Sequence, residues 1–100
     1  MQELHFRPSS ELTFGTVQFQ LEALARQLRI RELSVLYLDL HEVTQCDSAG
    51  LAFLIEAKRL SEQCGKILKI EGVPPAIHSL AEFCGVEALL AQCREYVNDK

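Results

Sequence analysis

The sequence predicts an α/β protein in which helices cover a small, mostly parallel sheet. Three observations carry this expectation. Segments of strand character alternate along the chain with segments of helical period. The run "LSVLYLDL", Leu33 to Leu40, has no helical period and almost no polar break, as in a strand covered on both faces. The stretches between candidate strands can hold the helix that each parallel crossover needs. With 100 residues, 48% apolar and 24% charged, the chain has the size and composition of a single folded domain over residues 1–100, not of a disordered or fibrous segment.

Each element follows from its period. Leu4 and Phe6 alternate with Glu3, His5 and Arg7, the pattern of a half-buried strand, and Pro8 followed by two serines ends it. Beyond Thr13 and Gly15, residues Val17, Leu21, Leu24 and Leu28 recur at helical spacing, predicting an amphipathic helix that ends near Arg29 to Glu32. The strand Leu33 to Leu40 comes next. The polar "HEVTQCDS" then leads into a helix from Ala49 to Gln63, with Phe53, Ala57, Leu60 and Cys64 as its inward stripe and Gly65 as a left-handed stop. "KILKI", Lys66 to Ile70, reads as a strand. "VPP" introduces a helix whose Ala76 or Ile77, Leu80, Ala81 and Cys84 face the core, stopped by Gly85. "VEALLAQCREYV" predicts a last helix.

Charge and composition exclude several classes. Ten Lys and Arg against fourteen Asp and Glu give a net charge of −4. No basic cluster exceeds two neighbouring cations, so the attraction that drives nucleic-acid binding is missing. "MQELHFRPSS" lacks the apolar core of a secretory signal, and no segment has the roughly 18 apolar residues of a membrane span. A cytoplasmic protein is expected. Cys46, Cys64, Cys84 and Cys93 match neither redox-pair nor zinc-ligand spacing and are expected to be buried, reduced thiols.

The junction "TQCDSAGLAFLIEAKR" is the candidate site. Ser48 stands where a cap belongs, accepting a hydrogen bond from an amide near Gly50 or Leu51, worth about 1 kcal/mol against alanine. Gly50 removes a side chain beside that hydroxyl, which would let another molecule approach. Leu51 to Ile55 cover the whole circumference of a helix, so they cannot all face one sheet. Either neighbouring helices enclose them, or some form an exposed apolar patch for a protein partner. A phosphate on Ser48 would suit a helix N-terminus, and its roughly −1.5 to −2 charges beside Asp47 would repel a docked partner.

"LYLDLHEVTQCDSAGLAFLI" resembles the central signature of the STAS domain family, named for sulfate transporters and anti-sigma-factor antagonists. "SELT", Ser10 to Thr13, sits where that family has Gly-Glu-Leu-Asp, and "GKILKIEGVPPAIHSLAEFCGVEALL" is similar to its later strand, Pro-led helix and closing turn. The resemblance implies a STAS-like small α/β sheet domain that binds proteins, has no catalysis of its own and needs no cofactor. The family's first strand is missing before Leu4, and Thr13 replaces the usual acid facing the serine turn. The chain is closest in appearance to the MlaB-like group, which binds the cytoplasmic (MlaF-like) ATPase of an ABC phospholipid transport system, the Mla system, and meets the membrane only through that partner. The alternative is an anti-sigma-factor antagonist controlled by phosphorylation of Ser48, with an anti-sigma factor kinase as partner. Partner contacts are expected from Asp47, Ser48, Ala49, Gly50, Leu51, Leu54 and Ile55.

An enzyme needs a nucleophile, a base and an orienting group within reach of one another. Cys84 or Cys46 with His41 or His78 can be drawn as a thiol–imidazole pair, and His41, Cys46 and Asp47 as metal ligands, but no local pattern supports either. No Gly-rich phosphate loop is present. The chain is not expected to hydrolyse ATP.

Overall fold

The structure, a computed structural model, describes residues 2–85. Its elements run β1 (Gln2–Phe6), β2 (Glu11–Leu12), α1 (Val17–Leu28), β3 (Leu33–Asp39), β4 (Gln45–Cys46), α2 (Ser48–Gln63), β5 (Ile67–Glu71) and α3 (Pro75–Cys84). β1, β3 and β5 form one sheet in that order, β2 and β4 a second, and every pairing is parallel. The alternation expected from the sequence is therefore present. β3 is the central strand, and β1 is an edge with no described strand beyond it. The last helix read at "VEALLAQCREYV" lies outside the described residues.

The register explains where the core sits. Leu4, Leu36 and Leu68 share one row across the sheet, and Phe6, Leu38 and Ile70 another. These rows meet Leu24 and Leu28 of α1, Phe53, Leu54 and Ala57 of α2, and Ile77 and Ala81 of α3 in one apolar cluster. Strand side chains alternate between faces, so the row between them, His5, Tyr37 and Lys69, points the other way. There the His5 ring stacks on Tyr37 with centroids 4.7 Å apart, and Lys69 Nζ stands 5.4 Å from the Tyr37 centroid, a cation–π contact.

Some inward positions differ from the expected stripes. In α2 the buried residues are Gly50, Leu51, Phe53, Leu54, Ala57 and Ser61; Leu60 is half-buried and Cys64 is exposed. Cys64 is displaced because it already forms the C-cap, while Ser61 takes the inward slot and satisfies its hydroxyl on the Lys58 carbonyl at 2.8 Å. In α3, Ile77 rather than Ala76 faces the core, and Cys84 is exposed in the last turn before Gly85, which caps with φ 74°. The expectation of buried thiols is thus corrected for three of the four cysteines: Cys46 is half-buried, and Cys64 and Cys84 are exposed, while Cys93 lies outside the described residues.

Asp39 ends the central strand as a buried carboxylate. Its Oδ2 accepts from Arg7 Nε (3.2 Å) and Nη2 (3.0 Å); its Oδ1 accepts from the His41 backbone N–H (3.0 Å) and lies 2.7 Å from His41 Nδ1. The His41 N–H, then the His41 ring and the Arg7 guanidinium, hold the carboxyl at about 2, although burial pushes it upward. A folded-state value below the unfolded one stabilises the fold above about pH 4, and that contribution is lost as pH falls towards 2. Asp39→Asn is expected to lower stability by about 2 kcal/mol near pH 7 and by progressively less towards pH 2. Urea denaturation across that range checks this; a gap independent of pH would show that the charge is immaterial.

Candidate functional site

The junction singled out in the sequence is built by the smaller sheet. Glu11 pairs with Gln45 and Leu12 with Cys46, which lays the β2–α1 loop against the start of α2. Asp47, not Ser48, is the N-cap: its backbone is extended (φ −135°, ψ −166°), and its Oδ1 accepts from Ala49 N–H at 2.9 Å. Its Oδ2 accepts from Phe14 N–H at 3.2 Å. A carboxylate wins this position over a neighbouring hydroxyl because it adds attraction to the helix N-terminus and has two oxygens to serve two separate amides. Ser48 becomes the first helical residue. It is exposed, and its hydroxyl has no hydrogen-bond partner among the described residues.

The apolar run after Ser48 is mostly enclosed. α2 packs on β5 and lies between α1 and α3, so three directions around it are covered. Leu51 is 5% exposed and Leu54 0%. Both belong to the core, which corrects their expected place at a partner surface. Gly50 is buried as well: a Cβ built there would stand 2.9 Å from the Leu12 carbonyl oxygen. Its missing side chain admits the chain's own β2 backbone, not a second molecule. Asp47 and Ser48 remain exposed, Ala49 and Ile55 half-buried, and Ala52 lies open to solvent.

Ala52 belongs to a feature formed by two helices. An open groove of about 230 Å³ runs between α1 and α2, lined by Val17, Gln18 and Leu21 from the first and by Ala49, Ala52, Phe53 and Glu56 from the second. Arg59 Nε donates to Glu56 Oε1 at 3.0 Å, and this guanidinium holds the Glu56 carboxyl below the usual carboxylate range. Phe14, tethered by Asp47, leaves 84% of its surface exposed. Sequence reasoning missed Phe14 and the groove. The available signal was an aromatic residue in the Thr-Phe-Gly-Thr loop, off the apolar stripe of α1.

The rival chemistries find no support in this geometry. The His41 ring is held by Asp39, and among the described residues no three His, Cys, Asp or Glu side chains are grouped to hold a metal. Burial, and after it the Asp47 charge, pushes the Cys46 thiol up, which disfavours the thiolate that a nucleophile requires. What the site offers is a surface: an unbonded hydroxyl, an exposed aromatic ring and an apolar groove.

A family model described as "Mlab, STAS domain" matches residues 7–91. The chain belongs to the STAS domain family. The match takes in β2, both helices of the groove and the Ser48 junction, so the candidate surface lies within the STAS domain. This STAS fold is similar to the crystal structure of a sulfate transporter family protein from Wolinella succinogenes, with a TM-score of 0.67 and 22% identity over 90% of this chain and 72% of that one. At that identity the likeness concerns the fold. Among curated proteins none matches the chain. Among the described residues of the STAS domain, no helix is long and apolar enough to cross a membrane.

Proposed function

We propose that the protein is a non-catalytic, MlaB-like STAS subunit that binds and supports the cytoplasmic ATPase of an ABC phospholipid (Mla) transport system. It reaches the membrane through that partner. The observation that carries this reading is the solvent-facing start of α2, where the unbonded Ser48 hydroxyl stands beside an open groove floored by Val17, Leu21, Ala49 and Ala52. Apolar surface left open between two helices suits a protein contact, and the matching family model carries the MlaB name. Asp47, Ser48, Ala49, Ala52 and Ile55 supply the contacts, while Gly50, Leu51 and Leu54 hold the helix beneath them.

The test is capture of a purified Mla-type ABC ATPase by the immobilised protein. Ala52→Arg places a long cation at an exposed position, so the fold should keep its circular dichroism spectrum and melting temperature while capture is lost. Undiminished capture by Ala52→Arg, or no capture by the parent protein, overturns the proposal. The unbonded Ser48 hydroxyl also favours a second reading, an anti-sigma-factor antagonist whose partner is an anti-sigma factor kinase. In the same experiment, stoichiometric phosphate on Ser48 of protein isolated from cells, together with binding of such a kinase, would favour that reading over the first.

A further inference from the structure

One edge of the three-stranded sheet carries side chains that complement their own reversed order. Among the described residues no strand pairs with the outer side of β1, so backbone N–H and C=O groups along that side lack a strand partner. Gln2, Glu3 and His5 are exposed, and Leu4 is half-buried, packed against the core with part of its surface open. Among the described residues no group bonds the Glu3 carboxylate. The His5 ring stacks on Tyr37, and neither of its nitrogens has a hydrogen-bond partner among those residues.

We infer that β1 pairs antiparallel with β1 of a second copy, which joins two three-stranded sheets edge to edge about a two-fold axis. Residues directly opposite each other in such a pair project from the same face. Keeping the helices of both copies on one side therefore requires a register centred on a residue. Centred on Leu4, the whole of Gln2–Phe6 pairs: Leu4 meets the second copy's Leu4, Gln2 its Phe6, and Glu3 its His5, with the last two contacts repeated by symmetry. An imidazole N–H can donate to a carboxylate, so the two Glu3 groups gain the partners they lack. Centring on Glu3 instead sets two carboxylates face to face, centring on His5 sets two imidazoles together, and either shift shortens the ladder. The opposite edge has no such match, because the full register of β5, Ile67–Glu71, is centred on Lys69 and opposes two ammonium groups. A pair of five-residue strands is far smaller than a standard interface of about 1,600 Å², so the dimer is weak and depends on protein concentration.

Sedimentation equilibrium of the full chain between about 0.01 and 1 mM reads the association, and a monomer–dimer equilibrium is expected. His5→Glu puts a carboxylate opposite the second copy's Glu3 and should weaken dimerisation about tenfold, while Glu3→Lys/His5→Glu exchanges the two charges and should restore it. A separate variant, Leu4→Cys, should oxidise to a dimer bridged between the two introduced thiols, since opposed residues stand about 4.5–5.5 Å apart, within reach of a disulfide. Circular dichroism checks that each variant is folded, and peptide mapping locates the bridge. A chain that stays monomeric throughout, a dimer indifferent to His5→Glu, a charge exchange that restores nothing, or a bridge from the new thiol to Cys64 or Cys84 overturns the inference. So does slow hydrogen exchange at every β1 amide of the dilute monomer, which would mean that another part of the chain already occupies this edge.

Discussion

Leu54→Glu is expected to unfold the protein instead of disabling a single surface. Leu54 is completely buried between the sheet and the flanking helices, in the cluster shared by Leu36, Leu38, Ile70 and Ile77. Truncating such a leucine to alanine costs about 2–5 kcal/mol. Glutamate adds the penalty of a charge with no partner in an apolar interior, several kcal/mol more unless it stays protonated. Against a total stability of about 5–15 kcal/mol for a domain, the sum removes most or all of the folded population. Loss of the circular dichroism signal, or a urea transition collapsed to low denaturant, is the expected readout, with Leu54→Ala retaining a weakened transition. A stable Leu54→Glu variant would mean that this side chain reaches solvent. Three residues lie between Leu51 and Ile55, and of these the exposed Ala52 is the position where charge can be tolerated.

Gly50→Ala sets two effects against each other, and the steric one is expected to win. Alanine favours an α-helix over glycine by about 1 kcal/mol, so propensity alone predicts a gain. The new methyl would lie 2.9 Å from the Leu12 carbonyl oxygen and 3.4 Å from both Cys46 Cβ and Ile77 Cδ1. The closest of these atoms is backbone, held by the β2–β4 pairing, and cannot swing aside as a side-chain tip would. Crowding of that kind costs about 1–3 kcal/mol, leaving a net loss, larger for Gly50→Val. Thermal denaturation checks it, with Gly15→Ala as the comparison, since a methyl there meets nothing closer than Thr13 Oγ1 at 3.9 Å. A Gly50→Ala protein more stable than its parent would show that α2 can move away from β2 freely.

The elements that the sequence revealed are those long enough to display a period. β3 is a seven-residue apolar run and α1 repeats its leucines through three turns, so both could be read in one dimension. β2 and β4 have two residues each and no period at all; they fall in the polar stretches "SELT" and "HEVTQCDS", and their pairing depends on a partner more than thirty positions away. The cap was misplaced by one residue for a related reason. Asp47 and Ser48 are both good caps, and the choice is made by the Phe14 amide that the folded loop brings to the carboxylate. The enclosure of Leu51 and Leu54 is likewise a property of α1 and α3 arriving on either side. The groove has no sequence signature because its walls come from different parts of the chain.

Leu4 pairs with Leu36 and Leu36 with Leu68, each partner thirty-two positions further on. With no hairpin among the described strands of the main sheet, these neighbours meet only after a crossover of that length has closed, and an entropic cost is incurred before any strand contact repays it. During synthesis the first strand has nothing to pair with until the second has emerged, and the second stays half-partnered until the third follows. An incomplete chain released from the ribosome before β5 would expose one side of its central strand, an adhesive edge towards any other unfinished polypeptide.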